Sequence, residues 1–398
     1  MSIIRVENLY KVFGKEPKQA MKMVNEGYTK EEIMEKTGNT IGVNNVSFEV
    51  KQGESFVVMG LSGSGKSTLI RCLNRLIEPT SGSIYINDKD ITKMDKQALT
   101  DLRKYSVNMV FQNFAIFPHK TVLENASYGL KVRGMAKEER EQKGREALEN
   151  VGLKGWEDSY PSNLSGGMQQ RVGLARALAT DPEILLMDEA FSALDPLIRK
   201  DMQTELIELQ DRLQKTIIFI THDLDEALRV GDRIALMKDG EVVQIGTPEE
   251  IMMSPATAYV EKFVEDVDRS RVITAEMLMK KTAAVVHYPK DGPRVALHRM
   301  NESDISSIFV LDKQNRLIGI VMAEDALKAV ENRETSLDSI IQKDIPIALP
   351  DTPVKEMFPL LTGKNLPLAV VDENEKFRGI IVRGAVMAKL AEGGTDDA

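Results

Sequence analysis

Apolar positions fall in short blocks along most of this 398-residue chain, and the blocks predict strands and helices in turn. Residues 2–10 (SIIRVENLY) read as an opening strand and 42–50 (GVNNVSFEV) as a second. Phe56–Met59 is a third, after which Thr68, Leu69 and Ile70 begin a helical pattern. Residues 83–88 (SIYIND) predict a strand ending in a turn. From Lys96 to about Ala179 the pattern is mainly helical, with a strand-like stretch at Val107 to Phe111 and a helix over Gln169–Ala179. Apolar strands return at 183–187, 216–220, 233–237 and 241–245, with helical stretches at 197–213 and 224–230. Strands alternating with helices predict an α/β sheet with its ligand at the strand C-termini.

Two stretches stand outside this alternation. Residues 15–38 hold five Lys and five Glu and are neutral overall. Thr29 followed by Glu32 is a capping box, and Tyr28 with Ile33 fits a hydrophobic staple. A short helix, a break at Gly27 and a second helix from Lys30 are therefore expected as an insertion on the surface. It is either a solvated hairpin or a docking element for a partner. The second stretch follows a helical, charged segment at 250–271. Residues 308–320 (IFVLDKQNRLIGI) and 368–380 (LAVVDENEKFRGI) form an internal repeat at an offset of 60. Asp312 matches Asp372, Gly319 matches Gly379 and Ile320 matches Ile380. Each copy predicts strand, tight turn, strand and then a helix (324–331 and 384–391), and two copies imply a compact pair about a pseudo-twofold axis. The expected domains are 1–265, with a helical subdomain at about 96–179, and 272–398, with repeats at about 272–331 and 336–391.

Composition narrows the class. Hydrophobic content of 42% and charged content of 28% fit a globular protein. The net charge of −9 argues against nucleic acid as a partner. A single cysteine, Cys72, excludes an intrachain disulfide framework and fits a reducing compartment. The N-terminus lacks the apolar core of a signal peptide, and no run approaches the ~20 apolar residues of a spanning helix. The chain is expected to be soluble, so work at a membrane would need a second, spanning polypeptide.

The candidate chemistry begins at Gly60-Leu61-Ser62-Gly63-Ser64-Gly65-Lys66-Ser67, which fits G-x-x-x-x-G-K-[ST] between a strand and a helix. Gly60, Gly63 and Gly65 let the backbone turn several N–H groups toward phosphate oxygens, and the helix start adds its dipole. Lys66 would reach the β/γ-phosphates, and the Ser67 hydroxyl would ligate Mg²⁺. The strand ending Met187-Asp188-Glu189 delivers two carboxylates: Asp188 to the Mg²⁺ shell and Glu189 to an attacking water. Four further elements follow strands or open helices: Gln112, Leu164-Ser165-Gly166-Gly167-Met168, Ser192-Ala193-Leu194-Asp195, and His222 after the strand at 216–220. Ser165 can cap the helix behind it, and the two glycines allow close phosphate approach.

As a set, these motifs over residues 1–250 resemble the nucleotide-binding subunit of ABC transporters. The resemblance implies an α/β P-loop ABC nucleotide-binding domain, a mixed sheet plus helical subdomain, binding ATP and Mg²⁺. It implies Phe13, with Tyr10 second, as the aromatic stacked on adenine, and the phosphates held by 60–67 and Thr68. It implies Ser67, Gln112 and Asp188 around the metal, and Lys66, Gln112, Glu189 and His222 in catalysis. The signature at 164–168 departs from the common LSGGQ at Met168. In the family the signature of one copy, with the neighbouring Asp195 loop, completes the site of another. One motif set therefore implies a homodimer, with Ser165, Gly166 and Gly167 reaching the partner's nucleotide. The apolar segment Val110–His119 is where a permease subunit would dock.

The insertion at 15–38 and the wording Met187–Arg199 are similar to the subgroup serving glycine betaine and proline betaine importers. The repeat resembles a tandem CBS α+β module, which that subgroup often carries. The resemblance implies a peripheral ATPase subunit on the cytoplasmic face of the membrane, driving uptake of a compatible solute. Its further partners would be a substrate-binding protein or domain and an adenine nucleotide or dinucleotide at the CBS pair, with Asp325 on the ribose. Ala385 stands at the corresponding place in the second copy, so a structural dimerisation module remains the alternative there. The competing reading of the whole chain is a soluble ABC ATPase without a transport role.

Overall fold

The computed structural model describes residues 2–112, 115–265, 273–281, 284–363 and 366–391. Asn113 and Phe114 of the expected docking segment, residues 266–272 and the tail from Glu392 lie outside the described residues. The chain divides into two compact units, Met1–Val267 and Asp268–Ala398.

The first unit opens with β1 (Ser2–Phe13), α1 (Pro17–Asn25), α2 (Lys30–Thr37), β2 (Thr40–Lys51), β3 (Ser55–Met59) and α3 (Lys66–Leu73). Next come β4 (Ser81–Ile86), β5 (Lys89–Asp90), α4 (Lys96–Tyr105), β6 (Val107–Val110), α5 (Val122–Ala126), α6 (Tyr128–Val132), α7 (Lys137–Asn150) and α8 (Gly166–Leu178). It closes with β7 (Ile184–Asp188), α9 (Pro196–Leu213), β8 (Thr216–Thr221), α10 (Leu224–Val230), β9 (Arg233–Lys238), β10 (Glu241–Gly246), α11 (Pro248–Met253) and α12 (Ala258–Val264).

Two sheets share one core. One is antiparallel, in the order β2-β1-β4-β5. The other runs β10-β9-β3-β8-β7-β6, with β3, β6, β7, β8 and β9 all parallel. β3, β7 and β8 are buried along their whole length, as expected of parallel strands covered on both faces. Helix α3 fills the space between the sheets with Leu69, Ile70, Cys72 and Leu73, and Phe48 stacks on Phe56 at 5.1 Å.

Two expectations change. The helical subdomain expected from Lys96 begins later: the expected helix α4 and the expected strand after it both form, but β6 pairs with β7 and Arg103 of α4 donates to the Asn74 and Arg75 carbonyls, which ties both to the sheet. The helices away from the sheet therefore begin at Val122. The insertion at 15–38 does form two helices, but it is not simply solvated. Ala20 and Ile33 bury against Val12 and Ile41 of β1 and β2.

The second unit consists of α13 (Ala275–Leu278), β11 (Val285–His287), α14 (Pro293–Glu302), β12 (Ser307–Leu311), β13 (Leu317–Met322) and α15 (Ala323–Glu331). The second copy follows with β14 (Ile347–Ala348), α16 (Val354–Gly363), β15 (Leu368–Val371), β16 (Phe377–Ile381) and α17 (Arg383–Ala391). Asp312 and Asp372 each accept two backbone N–H bonds across their turn, from Gln314 and Arg316 and from Asn374 and Lys376. The repeat is thus a pair of Asx-type turns. The copies exchange backbone bonds reciprocally: Leu317 N–H donates to Glu375 and Phe377 N–H to Asn315. Arg316 bridges its own counterpart Lys376, so the pseudo-twofold passes there. The leading segments also cross over, Lys280 bridging Ile380 and Gln342 bridging Ile320. A Cβ on Gly319 would meet the Gln342 oxygen at 2.5 Å, and one on Gly379 the Lys280 oxygen at 2.8 Å. That crossing is the physical reason for the matched glycines.

Candidate functional site

Four neighbouring parallel strands end side by side, and each carries one expected residue just past its C-terminus. β3 leads into the loop 60–65, β6 into Gln112, β7 into Glu189 and β8 into His222. Residues far apart in sequence therefore meet in one place, as in other open α/β sheets.

The loop is shaped by its glycines. Gly60 (φ +152) and Gly65 (φ +103) leave no room for a Cβ, which would lie 2.2 Å from the Met237 and Gly42 oxygens respectively. Gly240, in the turn between β9 and β10, donates to the Ser64 carbonyl at 3.0 Å. Lys66 opens α3, is 4% exposed, and donates to the Gly60 and Leu61 carbonyls at 2.8 and 3.1 Å. Burial pulls its pKa down, and Glu189 and Asp188 oppose that pull. Ser62 and Gly63 stand exposed at the crown of the loop.

Asp188, 2% exposed, ends β7 and accepts the Ser67 hydroxyl at 2.9 Å and Arg71 Nη2 at 3.1 Å. Ser67 and Arg71 lie four residues apart on one face of α3, so both reach the same carboxylate. Hydroxyl and carboxylate oxygens side by side form a hard oxygen donor set of the kind Mg²⁺ takes together with phosphate oxygens. Arg71 was not picked out in the sequence, although its spacing from Ser67 carried the signal.

Glu189 turns away from the strand because its backbone enters the left-handed region at φ +47. That conformation costs about 1–3 kcal/mol for a non-glycine residue. Three hydrogen bonds offset the cost: Glu189 N–H to the Ile220 carbonyl at 3.1 Å, and the Ser192 N–H and hydroxyl to the Glu189 carbonyl at 3.1 and 2.9 Å. The turn aims the carboxylate into the cluster. Gln112 Nε2 donates to Glu189 Oε2 at 3.2 Å, His222 Nδ1 lies 3.7 Å from that oxygen, and Lys66 Nζ lies 4.0 Å from Oε1. Gln112 also donates to the Ser192 hydroxyl at 3.3 Å. Two cations and two carboxylates (Lys66, Arg71, Asp188 and Glu189) thus share the site.

Phe13 ends β1, two-fifths exposed, with Lys11 Nζ 5.0 Å above its ring. A Cβ on Gly42 would stand 2.7 Å from the ring and 3.2 Å from the Thr68 methyl. The aromatic therefore flanks the first turn of α3. Tyr10 is paired instead with Ser81 of β4.

The remaining residues form a separate cluster. Ser165 caps α8 by accepting the Met168 N–H at 3.3 Å, with Gly166 exposed beside it. Asp195 caps α9 by accepting the Ile198 N–H at 3.1 Å. The side chain of Leu194 stands 3.7 Å from where a Cβ on Gly166 would be, and that of Ile198 2.6 Å from one on Gly167. Ser165, Gly166, Gly167 and Asp195 thus gather with one another at two helix starts. In the second unit, Asp325 lies in the first turn of α15 and accepts Gln342 Nε2 at 3.2 Å.

The segment 115–121 is held from within. Asn125 Nδ2 donates to the Phe117, Lys120 and Thr121 carbonyls, and Arg176 Nη1 donates to the Ala115 carbonyl. Ile116 and Phe117 remain half-buried and Pro118 exposed.

Comparison with known proteins bears on this arrangement. The ABC transporter family model matches residues 43–192, and the CBS domain model matches 275–332 and 337–392. The chain is 58% identical to the glycine betaine transport ATP-binding protein OpuAA of Bacillus subtilis, over 98% of this chain and 92% of that protein. It is 55% identical to the glycine betaine/carnitine transport ATP-binding protein GbuA of Listeria monocytogenes, over 98% of each. Among solved structures, the dimeric post-hydrolysis state of the ATP-binding cassette MJ0796 bound to ADP and Pi is similar at 32% identity and a TM-score of 0.52. It covers 62% of this chain and 98% of that one.

Proposed function

We propose, from the premise that this chain belongs to the ABC transporter ATP-binding family and to its glycine betaine group, that it hydrolyses ATP to drive uptake of glycine betaine or a related quaternary amine. The observation that carries the reading is the meeting of Lys66, Gln112, Asp188, Glu189 and His222 past the ends of four parallel strands. Among the described residues no helix is long and apolar enough to cross a membrane. The chain works as a peripheral subunit at the cytoplasmic face, beside a permease that meets the apolar surface near Ile116–Pro118. A substrate-binding protein or domain supplies the solute.

Ser67 and Asp188 would hold Mg²⁺, which neutralises phosphate charge when bound. Lys66 leaves the loop carbonyls for the β/γ-phosphates. Glu189 takes a proton from the attacking water, with Gln112 fixing its carboxylate. His222, beside it, donates to the γ-phosphate. The cluster at Ser165–Gly167 and Asp195 serves the nucleotide of a second copy, so two chains enclose two ATP molecules. The dimeric state of the MJ0796 cassette supports this assembly. The test is ATP-driven uptake of labelled glycine betaine into vesicles holding the permease and this chain. Uptake that needs ATP and stops without the chain is expected, and uptake independent of the chain defeats the reading.

The second unit regulates the first, sensing an adenine nucleotide or ionic strength. Asp325 at the start of α15 is its candidate ribose contact. A chain lacking 272–398 should keep ATP-driven uptake and lose its response to salt or dinucleotide. An unchanged response would end this part of the proposal.

A further inference from the structure

The insertion carries one face that the function above does not use. Lys30 and Met34 lie four residues apart on α2 and so point to the same side. Lys30 Nζ donates to the Gly63 carbonyl, at the crown of the phosphate loop, at 3.5 Å. Met34 Sδ accepts the Thr40 hydroxyl at 3.3 Å, and Thr40 is the register partner of Phe13. One helix face thus runs from the aromatic at the base end of the site to the loop at its phosphate end. Its chemistry changes along the way in the same order as the nucleotide's, apolar at Met34 and cationic at Lys30. Met34 is half exposed and Phe13 two-fifths exposed, so the apolar surface beside the loop is open to a planar ring.

The face is fixed to the strands that carry Phe13. Buried Asn39 closes the base of the insertion, its Nδ2 donating to the Glu16 carbonyl and its Oδ1 accepting the Glu16 N–H, both at 3.3 Å. Thr29 and Glu32 cap α2 reciprocally, and Ile33 buries against Val12 and Ile41. The helix therefore cannot drift from the site without breaking a small core.

We propose that α2 is a third wall of the nucleotide pocket, with Met34 packing against the base or ribose and Lys30 donating to the polyphosphate from the outer side of the loop. Lys66 serves the inner side. The inference rests on the ATP site proposed above, and one experiment separates the two. Full-length chains are titrated with a fluorescent ATP analogue and Mg²⁺, with competition by ATP and AMP, and each variant's fold is checked by thermal melting. Lys30→Glu should weaken ATP about two- to fivefold and AMP less, the range of an exposed charge contact, while Lys30→Arg keeps wild-type affinity. Met34→Asp should weaken ATP and AMP alike. In steady state Lys30→Glu should raise KM for ATP and leave kcat unchanged, and Lys30→Arg should leave both at the wild-type value. Wild-type affinity in Lys30→Ala, Lys30→Glu and Met34→Asp overturns the inference. Lys66→Ala is the companion: lost binding there upholds the ATP site, and retained binding overturns the site and the inference together.

Discussion

The loop around Lys66 and the helix start at Ser165 are both glycine-rich turns that open a helix, yet their surroundings differ. Around Lys66 two of the charged groups, Lys66 and Asp188, are buried and Glu189 is half-buried, and the groups already have partners within the chain. Asp188 is held by Ser67 and Arg71, Glu189 by Gln112, and Lys66 by two loop carbonyls. At Ser165 the cap is exposed, the glycines carry no side chains, and Asp195 spends its carboxylate on its own helix. Buried charge needs local partners, because an uncompensated one costs several kcal/mol. An exposed helix start is satisfied by water and can be completed by another molecule at little cost. The first cluster is therefore a centre the chain assembles alone, and the second is a surface suited to another copy.

Substitution of Glu189 should have the largest effect. Glu189→Gln keeps the side-chain size and an oxygen that can accept from Gln112 but removes the base, so phosphate release should fall by about a thousandfold while ATP still binds and holds a dimer on size exclusion. Full hydrolysis in that variant would refute the role assigned to Glu189. Ser165→Ala tests the other cluster. Turnover should fall on the order of tenfold, while the ATP affinity of the single chain stays at the wild-type value. If affinity drops together with turnover, the two clusters belong to one pocket within the chain and the contrast fails. The smallest effect concerns Cys72, on the buried side of α3, whose thiol burial pushes up to about 12. A maleimide at pH 8 should leave it unlabelled in the native chain and label it after denaturation. Labelling of the native chain would show that α3 opens, and the rigid foundation of the Lys66 cluster would be lost.

The phosphate loop was legible because its chemistry admits few residues at fixed spacing: backbone at φ beyond +80 beside the Met237 and Gly42 oxygens accepts only glycine. Helix caps at Thr29 and Ser165 were equally local and equally readable. The strand at β6 was legible from Val107 to Phe111 although only four residues pair. Lys30 gave no signal at all. A lysine opening a polar helix has the same local pattern whether it faces water or a ligand.

The sequence by itself determined the elements, the phosphate-binding loop, the two-copy repeat and the carboxylate pair, because each is encoded within a few consecutive residues by backbone freedom or hydrophobic period. The tertiary structure decided which of those pieces meet. It brought Gln112, Glu189 and His222 together through strand order, turned Glu189 out of its strand, laid Lys30 over Gly63, and crossed the two repeats so that Gly319 and Gly379 face each other's leading segments. Strand order and crossings depend on contacts between residues tens to hundreds of positions apart, and no local pattern carries that information.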